Sequence, residues 1–135
     1  MALIEWSENL SVNVAEIDKQ HQKLIALINE LAESMRRGQG RKVVGKIISG
    51  LQAYTEIHFK AEENYFKQFG YPDAARHIQE HEAFVAKVTE FNNGFERGAL
   101  SLSVDLLNFL SNWLRHHIKG EDKKYSSFFN AKGLQ

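Results

Sequence analysis

The sequence contains no cysteine. Disulfides, thiolate nucleophiles and thiolate metal sites are therefore excluded. Proline occurs once, at Pro72, and the glycines gather in a few places. That is the punctuation of a few long helices. Neither sign of charge dominates, because Lys+Arg and Asp+Glu number 17 each. A neutral chain gives no general electrostatic reason to bind nucleic acid or an anionic membrane, and neither is expected as a partner. No apolar run approaches the roughly 20 residues that span a bilayer. Residues 1–10 carry Glu5, Trp6 and Glu8. They lack the basic start and apolar core of a signal peptide, so a cytoplasmic protein is expected.

What is present suits one all-α domain over residues 1–135, long enough to bury a real core. Four helices are predicted, at 18–37, 41–69, 73–95 and 103–129, after an N-terminal arm over 1–17. Their inward rows step by three and four residues, which traces one helix face. The first row is Ile17, His21, Leu24, Ile28, Leu31, Met35. The second is Leu51, Tyr54, His58, Glu62, Tyr65, Phe69. The third is His77, His81, Phe84, Val88, Phe91, Phe95. The fourth takes Leu107, Leu110, Leu114, His117 and Ile118. Gly70, Tyr71 and Pro72 force a turn, and Ser101 or Ser103 suits the cap of the last helix. Short connections favour an antiparallel up-down-up-down four-helix bundle over 18–129, with Trp6 and Val12 packing the extended arm onto it.

The informative feature is where the histidines fall. His21, His58, His77, His81 and His117 occupy inward rows otherwise filled by Leu, Ile, Val and Phe, and Glu62 and Asp122 join them. One buried histidine has a bland explanation as a satisfied core residue. Seven buried polar groups without partners would cost several kcal/mol apiece, and a metal supplies the missing partner. A depth test supports this. Residues at equal depth in a helical hairpin are mirror images about its turn. His21 and His58 mirror about the position between Gln39 and Gly40. His58 with Glu62 mirrors His77 with His81 about Phe69 and Gly70. His77 with His81 mirrors His117 with Asp122 about Ala99. All seven therefore share one height.

Local spacing agrees in two cases and strains in a third. His58 and Glu62, like His77 and His81, are four apart on one face. His117 and Asp122 are five apart, about 140° around an ideal helix, with Gly120 between them to permit a distortion. Glu121, four from His117, competes for the place. His116 is turned about 100° from His117 and reads as solvated. Glu63 and Glu80 read as surface or rim residues. Tyr54, Tyr65 and Tyr125 have the chemistry to donate to ligands but read as core packing, as does Trp113.

The segments IDKQH (17–21), HFKAEE (58–63), HIQEH (77–81) and WLRHHIKGEDKKY (113–125) resemble the hemerythrin family in order and spacing. The likeness is to its single-domain bacterial members and covers essentially the whole chain, tryptophan in the arm included. It decides for Asp122 over Glu121. It implies two iron ions bridged by Glu62, Asp122 and an oxo or hydroxo group. His77, His81 and His117 would hold one iron, and His21 and His58 the other. Five imidazoles, two bridging carboxylates and the solvent bridge leave one octahedral position open, on the iron of His21 and His58. The implied function is reversible O2 binding for oxygen storage, transport or delivery, not catalysis. Leu24, Ile28, Leu114 and Ile118 are expected to wall the O2 pocket. The alternative within the same fold is O2 or redox sensing, or the handling of iron, nitric oxide or peroxide. In a single domain a sensor would need a separate partner protein, whereas delivery needs none. HIQEH also fits the H-x-x-E-H signature of a zinc protease, but that reading leaves His21, His58 and His117 without a role.

Overall fold

The structure is a computed structural model that describes residues 4–98 and 102–135, apart from the side chains of Lys119 and Glu121. Ser101 and Ala99, proposed as cap and mirror point, lie outside the described residues. The helices are α1 (Ala15–Arg36), α2 (Gly40–Phe69), α3 (Ala74–Glu96) and α4 (Leu102–Trp113). The α4 helix continues as a π-helical segment (Leu114–Asp122) and then a short α5 (Ser126–Ala131). No strand occurs among the described residues. α1 packs on α2, α2 on α3, α3 on α4, and α4 closes back onto α1. With short connections between successive helices, this is the expected antiparallel four-helix bundle. Among the described residues, no helix is long and apolar enough to cross a membrane.

The boundaries have local causes. Gly70 takes the left-handed conformation (φ 69°, ψ 44°) and ends α2 with its N–H on the Phe66 carbonyl, a position that a side chain would strain. Helix α1 starts at Ala15, earlier than the expected Asp18. Asp18 instead sits in the first turn and reaches back to the arm. Its Oδ1 accepts the Val12 N–H at 2.8 Å, and its Oδ2 accepts the Ser11 hydroxyl at 2.6 Å. Farther out, Ile4 exchanges two backbone hydrogen bonds with the Asn29 side chain, at 2.9 and 2.8 Å. Val12 is fully buried and Trp6 packs half-buried on the core.

Most of the inward rows are buried. Phe95 is not: it is 42% exposed and lies over Gly45, where a Cβ would collide with its ring. Leu106 rather than Leu107 is fully buried. Phe66 takes the core place expected for Tyr65 and Phe69, which stay half-buried. The cause is α5, which sets Phe129 among Tyr65, Phe66 and Phe69.

The core divides in two. One apolar cluster runs through Leu24, Ile28, Leu51, Tyr54, Phe84, Leu110, Leu114 and Ile118. The other gathers Val12, Val14, Ile17, Phe66, Tyr71, Tyr125 and Phe129 at the opposite end. The polar layer lies between them. Each fully buried Leu, Ile or Phe stabilises the fold by roughly 1.5–3 kcal/mol, and this burial offsets the cost of that layer.

Replacing Asp18 by Ala leaves the Val12 N–H without its acceptor beside a fully buried side chain. The expected loss is about 1–3 kcal/mol in urea unfolding, with Asp18→Asn costing less because it keeps an acceptor. An unchanged midpoint in Asp18→Ala would show that the arm is not held this way.

Candidate metal centre

Every element of the bundle contributes to the polar layer. His21 comes from α1, His58 and Glu62 from α2, His77 and His81 from α3, and His117 and Asp122 from the π-helical segment. None is more than 2% exposed. Their donor atoms form two adjacent groups, each within 4.8 Å. One contains Glu62, His77, His81, His117 and Asp122; the other contains His21, His58, Glu62 and Asp122. Both carboxylates belong to both groups. Asp122 faces them with different oxygens. Its Oδ2 lies 3.0 Å from His21 Nε2, while its Oδ1 lies 2.7 Å from His77 Nε2 and 2.9 Å from His117 Nε2. Glu62 presents one oxygen to both sides, with Oε1 at 2.9 Å from His81 Nε2 and 3.4 Å from His58 Nε2. Its Oε2 accepts the buried Tyr125 hydroxyl.

Glu62 Oε1, both Asp122 oxygens and Nε2 of His77, His81 and His117 are all buried without a hydrogen-bond partner. The Nε2 atoms of His21 and His58 come within 3.1 Å of each other. Carboxylate oxygens and imidazole nitrogens converging on common points suit cations. Imidazole and carboxylate are the donors of non-thiolate transition-metal sites.

Three imidazoles are fixed from outside the layer. His58 Nδ1 lies 2.7 Å from Gln20 Oε1 and His81 Nδ1 lies 2.9 Å from Glu63 Oε2. His117 Nδ1 lies 3.4 Å from Glu80 Oε1. An Nδ1–H donated outward leaves the Nε2 lone pair facing inward. Rings pack alongside: Phe59 stacks on His81 at 3.8 Å, Trp113 on His117 at 4.0 Å, and Tyr54 on His58 at 4.9 Å.

The electrostatics belong to a set of groups waiting for cations. Burial and mutual repulsion oppose charge on Glu62, and burial opposes it on Asp122, yet the surrounding imidazoles hold both carboxyls below the ordinary range. Burial also opposes charge on His77, but Asp122 and Glu62 override it and push the imidazole up to about 10. Burial lowers His58 to about 4. The metal-free layer therefore stores protons that a cation must displace.

The π-helical segment resolves the awkward spacing of His117 and Asp122. A helix closed by i→i+5 hydrogen bonds has about four and a half residues per turn, so positions five apart return to nearly the same face. The distortion does not depend on special backbone at Gly120. Its φ is not positive, and open space surrounds the place of a Cβ.

Sequence reasoning missed Glu63 and Glu80 as contacts of the imidazoles, and also the role of Tyr125. The mirror relation held part of the signal. It pairs Gln20 with His58 about Gln39 and Glu80 with His117 about the third connection, whereas Glu63 lies five residues beyond His58, the position that mirrors His81. Tyr65 donates to Glu16, away from the layer, and His116 is exposed. Glu80, turned toward His117, is not placed as the general base of a zinc protease. Leu24, Ile28, Leu114 and Ile118 are all buried in the apolar cluster beside the layer.

Comparison with known proteins agrees with this arrangement. The family described as Hemerythrin HHE cation binding domain matches residues 12–128. A bacteriohemerythrin of Stenotrophomonas maltophilia is 36% identical over 131 residues, which is 97% of this chain and 84% of that protein. A bacteriohemerythrin of Methylococcus capsulatus is 32% identical over 132 residues, 97% of this chain and 100% of that protein. A solved wild-type hemerythrin superposes with a TM-score of 0.84 at 31% identity, over 93% of this chain and 97% of that one. A leucine-to-alanine mutant of hemerythrin gives the same TM-score, 0.84, at 31% identity over 94% and 97% of the two chains. Two donor groups sharing both carboxylates fit a di-iron site, and the chain belongs to the hemerythrin family.

Proposed function

We propose that this protein, acting as a single cytoplasmic domain, binds O2 reversibly at a pair of iron ions and serves oxygen storage, transport or delivery rather than catalysis. The observation that carries the reading is the inequality of the two donor groups. One has three imidazoles beside the shared carboxylates and the other has two. His77, His81 and His117 would hold one iron and His21 and His58 the other, with Glu62, Asp122 and a solvent-derived oxygen between them. The group with fewer imidazoles keeps a position for a small exogenous ligand. When bound, the iron pair supplies the electrons that O2 binding draws on and that release returns.

The chain's own residues do the rest. Asp122 faces the two groups with separate oxygens, which suits a bridge. Tyr125 holds one Glu62 oxygen and so fixes the carboxylate plane. Leu24, Ile28, Leu114 and Ile118, none more than 4% exposed, would line the O2 pocket and exclude water. The anionic donors are two carboxylates, against the four glutamates of ferritin-like di-iron bundles. Less negative ligation favours the reduced metal pair, and with it reversible binding over oxidation.

The deciding measurement is the absorption spectrum of iron-loaded, reduced protein before and after exposure to air. Colour should appear with O2 and fade when O2 is removed; a colourless two-zinc protein would end the reading. Polar substitution of the pocket, as Leu114→Gln or Ile118→Thr, should speed autoxidation severalfold, and unchanged rates at both sites would count against these residues. Metal uptake should also release protons. His77 is protonated at neutral pH in the metal-free layer, with its pKa near 10, and must lose that proton to bind a cation. Calorimetry of zinc binding at pH 8, in buffers of different ionisation enthalpy, should register about one proton or more released per chain. Uptake without proton release would contradict the assignment of His77.

A further inference from the structure

Tyr54 carries a polar atom that the proposed function leaves unused. The residue is 6% exposed, and its hydroxyl is shut off from solvent without a hydrogen-bond partner. A phenol buried this way forfeits the hydrogen bond that water gave it in the unfolded chain. Tyr125 is the instructive contrast, because its hydroxyl is equally buried but donates to Glu62.

Position gives the orphan hydroxyl a purpose. Tyr54 lies one turn before His58 on α2, and its ring stacks nearly parallel on the His58 imidazole, at 4.9 Å and 18°. His58 belongs to the donor group with fewer imidazoles. Tyr54 mirrors Leu24 about Gln39 and Phe84 about Phe69, and Phe84 in turn is level with Leu114. These four side chains form one layer beside the imidazoles, within the larger apolar cluster. Leu24, Phe84 and Leu114 have no polar side-chain atom, so Tyr54 brings the hydroxyl of that layer. Its phenol O–H is a hydrogen-bond donor at neutral pH. The ring also forms part of an open groove between α1 and α2, with Lys23, Leu27 and Ile57. Tyr54 thus stands between that groove and the metal layer.

We propose that Tyr54 donates the hydrogen bond that retains an exogenous ligand beside His21 and His58, so that the site favours small ligands carrying an acceptor atom. The inference rests on the O2-binding reading and names a residue that sets its selectivity. A ligand with an acceptor atom satisfies the hydroxyl as it enters, whereas one without leaves the phenol unpaired. The discrimination follows from the cost of an unsatisfied donor in a dry pocket.

Tyr54→Phe is the test, because it keeps the ring, its stack on His58 and the wall of the groove while removing one oxygen. The probe is azide, a small anion with acceptor atoms, titrated into the oxidised, iron-loaded protein. Azide should bind about tenfold more weakly to the variant, chiefly through faster release. O2 should leave the reduced variant faster by a similar factor. Two further readouts do not depend on ligand binding. Iron content per chain should equal that of the wild type, and the metal-free variant should melt at or above the wild-type temperature, since no protein hydrogen bond is lost. Unchanged azide affinity and O2 release would overturn the proposal. So would a metal-free variant that melts well below wild type, which would mean that the hydroxyl has a protein partner. Loss of iron from the variant would overturn it as well, by making Tyr54 a support of the metal site. A wild-type protein that takes up two irons but binds neither O2 nor azide would instead end the parent reading, and this one with it.

Discussion

The structure depends on a layer of buried donors that cannot satisfy one another. Glu62, Asp122 and the inward nitrogens of the imidazoles crowd together at 2.7–3.6 Å, cut off from water. Desolvating so many groups is costly unless something binds them. The rest of the bundle is organised to bear that cost until a cation relieves it. Apolar clusters close the layer on both sides, and the arm seals one end through Val12 and Val14. Aromatic rings stack against His58, His81 and His117, so these imidazoles are held in place by packing as well as by hydrogen bonds. A layer prepared in this way needs little rearrangement to accept metal.

The π-helical segment is the clearest case of local structure yielding to the site. Helix α4 runs with ordinary geometry to Trp113 and then widens over Leu114–Asp122. An ideal α-helix would point His117 and Asp122 about 140° apart, and only one of them would reach the layer. Widening brings both inward at the expense of regular i→i+4 hydrogen bonds. π-helical insertions are rare and concentrate at functional sites. Here the reason is visible: Asp122 is the residue whose two oxygens face the two donor groups.

Much of this was legible in the sequence, because a helical hairpin converts sequence distance into depth. The mirror relation located the layer from residue numbers alone, and the three- and four-residue steps located the inward faces. What escaped reading involved contacts between neighbouring helices at the edge of the layer. Glu63 and Glu80 lie beside ligand positions on their own helices, and a single helix viewed alone turns them toward solvent. Only the adjacent helix brings His81 and His117 within reach of them. Asp18 looked like a helix start because it follows a loop-like arm, but its carboxylate holds that arm from inside the first turn. The core place of Phe66 depends on Phe129 of α5, which no periodicity within α2 encodes.

The outward contacts also differ between the two sides of the layer, and the difference bears on where a ligand binds. His58 meets the neutral amide of Gln20, whereas His81 and His117 meet the carboxylates of Glu63 and Glu80. A carboxylate acceptor makes an imidazole a stronger donor to its metal than an amide does. Under the proposed assignment, a cation held by the three-imidazole group would be both more fully ligated and more electron-rich. A cation beside His21 and His58 would have fewer imidazole donors, and His58 would be a less basic one. It would therefore keep the greater appetite for another ligand, on the side where Leu24, Leu114 and the hydroxyl of Tyr54 are proposed to form the wall. Two unequal groups, unequal outward partners and an apolar layer with one donor in it all point to the same place in the bundle.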